Sequence, residues 1–239
     1  MNWRIGCSGF YYREWKEVFY PKGLEQKDWF KFYCQHFNTI EINSTFYKMP
    51  TQKSFEKWYT ESPADFVFTI KAPRLITHYK QLKECTALLA DFYLAVVNGL
   101  TDKLACVLFQ FPPKFDYTAE RLQLLIDLLD PTLKNVVEFR HTSWWDEEIY
   151  SKLAEHNIIF CGQSYPSALS DKVVKNNARV YYRFHGKPVL YKSAYAEEVM
   201  KDLVAQVPRG TEEAFIYFNN TWGTGALTNA RQLQELTKE

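Results

Sequence analysis

The chain has almost no net charge: 29 Lys and Arg stand against 28 Asp and Glu, a formal +1. A balance this close projects no long-range field to gather a polyanion, so non-specific nucleic-acid binding is disfavoured. No apolar run approaches the ~18 residues a membrane helix needs. No basic-plus-apolar leader is present either, because residue 1 runs almost at once into the strand-like WRIGC. A cytoplasmic protein without membrane contact is expected. The five cysteines, Cys7, Cys34, Cys85, Cys106 and Cys161, are odd in number and widely spaced and contain no CxxC. That pattern argues against a disulfide framework or a zinc knuckle and fits a reducing compartment. GxGxxG, Walker, HxH and HExxH patterns are also missing, so no cofactor is expected and a divalent metal has little support.

What the sequence does have is aromatic bulk, with 7 Trp, 16 Tyr and 18 Phe in 239 residues. Most of these rings must be core. Short β-branched or aromatic runs bounded by turn residues predict strands at 3–7, 38–43, 66–71, 104–111, 135–140, 157–163, 179–185 and 214–220. Helix-period segments at 26–37, 51–61, 80–98, 118–129, 145–156, 195–206 and 225–237 lie between them. Only the stretch after strand six lacks one. Eight strand–helix units joined by right-handed crossovers close naturally into a single α/β domain, a (β/α)8 TIM-type barrel spanning 1–239.

Catalytic groups of such barrels sit at the C-terminal strand ends and in the loops beyond. Every strand here ends polar. Side chains alternate faces along a strand, so Glu41 and Asn43 share a face, as do Thr69 and Lys71, Glu138 and Arg140, and Arg183 and His185. Ile42, Ile70, Phe139 and Phe184 then face the helices. Polar groups aimed into a barrel need partners, a ligand or water. The catalytic candidates are therefore Glu41, Lys71, Glu138 and His185, with Asn43, His78, Gln110, Arg140, His141, Arg183 and Asn220 as substrate-binding candidates. Glu41 and Glu138 suit an acid/base pair, with Lys71 and Arg140 holding one of them ionised. Arg140 and Arg183 are suited to clamp a carboxylate or phosphate. Lys71 is alternatively a Schiff-base lysine if burial depresses its pKa. The competing view is that Glu138, Arg140, Glu41 and Lys71 merely satisfy one another as a structural ion-pair network. Residues two apart on a strand face are separated by roughly 7 Å. On that basis Glu138 and Arg140 are expected to leave room for a bridging ligand, and Glu138→Gln to abolish binding with the fold intact. After strand eight, NNTWGTGALTNA carries Gly223 and Gly225 into a helix, a weak anion-binding signal.

These same stretches carry a resemblance. IGCSGFYYREW with VFYP, IEINSTFY, FTIKAPRLITH, LFQFPP, VEFRHTSWW, YYRFHG and YFNN followed by GALTNA together resemble the YecE-like family, domain of unknown function 72, over essentially the whole chain. The resemblance implies a TIM-type barrel and brings no substrate, cofactor or catalytic residue with it. Its recurring polar residues fall on Glu41, Lys71, His78, Gln110, Glu138, Arg140, His185 and Asn220. Cys7 and Phe10 depart from the family's opening motif, where Thr and Trp are usual. The expected activity is acid–base chemistry on a small polar or anionic substrate. A metal-dependent hydrolase or isomerase, for instance on phosphodiesters, and a non-catalytic metabolite sensor are the alternatives. Substrate and oligomeric state are not legible.

Overall fold

The aromatic and β-branched runs form eight parallel strands in the computed structural model, which describes residues 1–238. They are β1 (Asn2–Cys7), β2 (Thr39–Ile42), β3 (Val67–Lys71), β4 (Leu104–Gln110), β5 (Asn135–Glu138), β6 (Ile158–Ser164), β7 (Arg179–Phe184) and β8 (Glu213–Phe218). One sheet runs β1-β8-β7-β6-β5-β4-β3-β2, and its curl brings the two ends together. The intervening helices are α1 (Trp29–Cys34), α2 (Gln52–Glu61), α3 (Thr86–Leu100), α4 (Ala119–Leu128), α5 (Glu147–Glu155), α6 (Glu197–Gln206) and α7 (Gly225–Leu236). No helix among the described residues is long and apolar enough to cross a membrane, and all five cysteines are free thiols.

Three helices, α2, α4 and α5, begin one or two residues later than their periodicity suggests, because the first polar residue serves as a cap. Thr118 accepts from the Arg121 amide and Asp146 from that of Glu148. The larger difference is α3, which starts at Thr86 rather than near 80. Gln81, Leu82 and Glu84 all take positive φ, which no right-handed helix accommodates. Between β6 and β7 there is no helix, as expected. Asn176 anchors that stretch instead, donating to the Tyr150 and Ile158 carbonyls and accepting from the Phe160 amide.

Side-chain parity sorts the residues into two cores. Ile42, Ile70, Phe139 and Phe184 point outward and pack with helix residues such as Phe30, Phe92 and Leu125. Inside the barrel, Leu108, Val136, Ile159, Cys161, Tyr181, Phe215 and Tyr217 form a separate apolar plug. Above it the interior becomes polar. Two indoles anchor the loops that frame this end. Trp144 stacks on Phe139 at 3.9 Å and donates to the Phe115 carbonyl. Trp15 donates to the Gly223 carbonyl, tying the loop after β1 to the loop after β8.

β1 and β2 share no backbone ladder among the described residues. A side chain closes the gap. The Tyr33 hydroxyl accepts from the Cys7 amide at 2.8 Å and donates to the Thr39 carbonyl at 3.0 Å, bridging the two strands. The close approach requires Gly6, where a Cβ would stand 2.3 Å from the Thr39 carbonyl oxygen. Tyr33→Phe leaves a buried N–H and C=O unpaired, and a urea melt should find a loss of about 1–3 kcal/mol. An unchanged midpoint would mean that the hydroxyl is not what closes the barrel.

Candidate functional site

The polar end of the barrel has two levels, and burial separates them. The lower level is an ion-pair network without solvent exposure. Arg183, from β7, donates through Nη2 to Glu41 Oε1 at 2.6 Å and through Nη1 to Glu138 Oε2. Glu41 also accepts from Ser8 Oγ at 2.6 Å and from the Tyr181 hydroxyl at 2.5 Å. Glu138 also pairs with Arg140 Nη2 and accepts from His185 Nε2 at 3.0 Å. The Asn219 side-chain amide donates to His185 Nδ1, so Nε2 carries the proton that Glu138 accepts, and Arg140 Nη2 also lies 3.0 Å from that nitrogen. Glu41, Glu138, Arg183 and His185 are all fully buried.

Burial raises the Glu138 carboxyl, but Arg140, Arg183 and His185 outweigh it and hold the group well below the usual carboxylate range. Burial lowers Arg183, yet Glu138 and Glu41 reverse the effect and keep it firmly charged. His185 is pushed well below its ordinary value by burial and by Arg140, so it is neutral.

The upper level is an open pocket of about 700 Å³. Lys71, Gln110, Arg140 and Asn219 line its base, with Asn43 and His78 beside them. Lys71 Nζ donates to Gln110 Oε1 at 3.0 Å and lies 4.2 Å from the centre of the Phe46 ring. No carboxylate among the described residues pairs with it. Burial and the nearby Arg183 bring it down to about 7. His78, lowered to about 4 by burial and by Lys71, is neutral; Thr77 holds its Nδ1 and its Nε2 lies 3.4 Å from Gln110 Nε2. Arg140 stacks at 3.8 Å on Tyr165, and Arg74 lies against Tyr47 and Tyr79 at the mouth. The buried Asn43 Oδ1 has no hydrogen-bond partner. Among the described residues no Asp or Glu lines this pocket.

The sequence candidates thus divide. Asn43, Lys71, His78, Gln110 and Arg140 meet in the pocket, while Glu41, Glu138, Arg183 and His185 lie beneath its floor. Two point elsewhere. His141 faces away from Arg140 and caps the turn after β5, accepting from the Ser143 amide. Asn220 donates to the Ser193 carbonyl and to Asn229 Oδ1 on α7, because it shares the outward parity of Phe218. Its neighbour Asn219, in phase with Tyr217, faces the pocket. The gap expected between Glu138 and Arg140 is closed: the flexible guanidinium folds back onto the carboxylate and pairs with it directly. The network anticipated as the competing view does form, but with Arg183 at its centre and Lys71 outside it. Sequence reasoning missed Tyr12, Phe46, Tyr47, Arg74, Tyr165 and Tyr191 at the mouth. The first four lie in the distinctive stretches that follow β1, β2 and β3, and that position was the available signal. Among the described residues no three His, Cys, Asp or Glu side chains gather as a metal-ligand set.

Comparison with known proteins places this geometry in a group. The family described as "Protein of unknown function DUF72" matches residues 4–239. UPF0759 protein YunF of Bacillus subtilis is 26% identical, over 97% of this chain and 93% of its own. UPF0759 protein YecE of Escherichia coli K12 is 29% identical over 47% of this chain and 42% of its own. The crystal structure of a DUF72 family protein from Thermotoga maritima superposes with a TM-score of 0.89 at 29% identity, covering all of both chains. One from Enterococcus faecalis reaches 0.86 at 20% identity over 98% of this chain and 94% of its own, a likeness of fold.

Because Glu138 is the shared partner of Arg183, Arg140 and His185, Glu138→Gln should destabilise the fold by about 3–5 kcal/mol in a urea melt rather than leave it intact. A cost near zero would contradict the structural role of the network. Acid should act in the same place. The native state refuses protons at His185 and His78 that the unfolded chain takes up below their ordinary 6.5, and at Glu138 below 4.5. Stability should therefore already fall from pH 8 toward 7, where the unfolded chain protonates Lys71 and the native chain does not, with the histidines adding to the loss below about 6.5 and Glu138 below 4.5. Melts across pH 3–8 check this, and a flat profile would contradict it.

Proposed function

Since the chain belongs to the DUF72 family, for which no activity is established, we propose from the chemistry of the pocket that it is an enzyme acting on a small anionic substrate, with Lys71 as its acid–base group. The observation that carries the reading is the sign of the lining. Lys71, Arg74 and Arg140 face the pocket, and among the described residues no carboxylate does. The two interior carboxylates are each engaged by three donors below the floor, so they neutralise Arg183 and part of Arg140 instead of meeting a ligand. Arg140 is pinned by Glu138, Gln163 and Tyr165, a rigid donor at the base. Arg74, on the rim, has only aromatic neighbours for its charge.

Lys71 suits acid–base work because a group poised near neutrality both takes and returns protons at ordinary pH. Tyr47, Tyr79, Tyr165 and Tyr191 supply apolar walls against which the rest of the substrate rests. A thermal-shift screen of phosphorylated and carboxylated metabolites tests the reading directly. An anionic ligand should raise the melting temperature of the native chain. Arg74→Gln should weaken that ligand about tenfold, which corresponds to about 1.4 kcal/mol, without lowering the melting temperature of the free protein. A screen in which only neutral or cationic compounds stabilise would overturn it.

A further inference from the structure

Lys71 is the amine of the pocket lining placed to attack an electrophile. The lining holds no cysteine, and its hydroxyls, Ser44 and Thr221 among them, have no carboxylate or imidazole placed to activate them. Lys71 is 8% exposed, and its amine makes one hydrogen bond, to Gln110, with no carboxylate partner among the described residues. An ammonium in structural service at such burial is saturated with acceptors, as Lys103 is by the Tyr59 and Ser62 carbonyls and the Ser62 hydroxyl, whereas Lys71 has one. Arg74 and Arg140 line the same pocket, with the neutral His78 next to Gln110.

We propose that Lys71 forms an imine with an aldehyde or ketone that also bears a phosphate or carboxylate, the anion held by Arg74 and Arg140. This rests on the reading of the pocket as an anion site and adds the electrophile. The Lys71 lone pair forms the C–N bond to the carbonyl carbon. The carbonyl oxygen collects both amine protons and departs as water, and a proton from solvent then converts the imine to the iminium. No oxidant or reductant is consumed. The cationic iminium is an electron sink for bond changes at the adjacent carbon. The low position of the amine, about 7, supplies the unprotonated nucleophile at neutral pH.

The test treats the full chain with glyoxylate or glyceraldehyde 3-phosphate in the presence of cyanoborohydride, which reduces any imine to a stable secondary amine, and maps the adduct by proteolysis and mass spectrometry. A single adduct on Lys71 should form at least tenfold faster than on the exposed lysines, its rate rising through pH 7 rather than pH 10. Propanal, which has no charge, should label more slowly, and Arg74→Gln should slow labelling by the anionic aldehydes about tenfold more than it slows labelling by propanal. Lys71→Met should abolish the adduct, and the mapping in the native chain stands whether or not that variant folds. If anions stabilise the protein yet Lys71 labels no faster than surface lysines, the imine is overturned and the anion site survives. If anions neither stabilise nor protect while Lys71 labels selectively with propanal, the anion site fails and only a reactive lysine remains. Indiscriminate labelling together with no anion binding overturns both.

Discussion

A guanidinium with no access to solvent must be neutralised in place, and Arg183 is neutralised by carboxylates from opposite sides of the barrel. Glu41 comes from β2 and Glu138 from the end of β5, so one side chain of β7 joins three strands that share no ladder. Ser8, just past β1, and Tyr181 complete the shell of Glu41; His185 and Arg140 complete that of Glu138. Removing any one of these charges strands another, which makes the layer an all-or-none unit. It also lies directly over the apolar plug of Tyr181, Tyr217 and Phe215, so the polar interior begins at a defined height.

The electrostatics of the pocket follow from that layer. With both carboxylates consumed below, what reaches the cavity is the unpaired remainder: the exposed edge of Arg140, the amine of Lys71, and Arg74 at the mouth. Arg183 pushes Lys71 toward neutrality from beneath, although it never touches the cavity. His185 and His78 stay uncharged for the same reason, burial among cations. On the proposed reading of the pocket as an anion site, Arg140 would present a donor already fixed by Glu138, Gln163 and Tyr165.

The seam between β1 and β2 shows a second use of a buried hydroxyl. Tyr33 substitutes for two ladder hydrogen bonds where the backbones meet out of register, and Thr39 extends the arrangement inward by donating to the Val67 carbonyl and bonding to the Tyr217 hydroxyl. The high tyrosine content therefore has a structural account: phenols fill space as phenyl rings do and also satisfy polar atoms that the closing barrel strands.

Local pattern in the sequence determined the strand number, the alternation with helices, the missing helix after β6 and the facing of Glu41, Lys71, Glu138 and Arg183, because period-two alternation and turn residues are properties of short segments. The late start of α3 was not legible, since positive φ at Gln81, Leu82 and Glu84 answers to packing that buries Leu82. Nor was the choice between Asn219 and Asn220, which turns on where the β8 parity is carried past the end of its ladder. Only the tertiary structure decided which polar residues form the floor and which line the pocket. Depth along the barrel axis depends on strand stagger, which no single strand encodes. The pairing of Arg183 with two distant carboxylates arises only once the sheet has closed on itself.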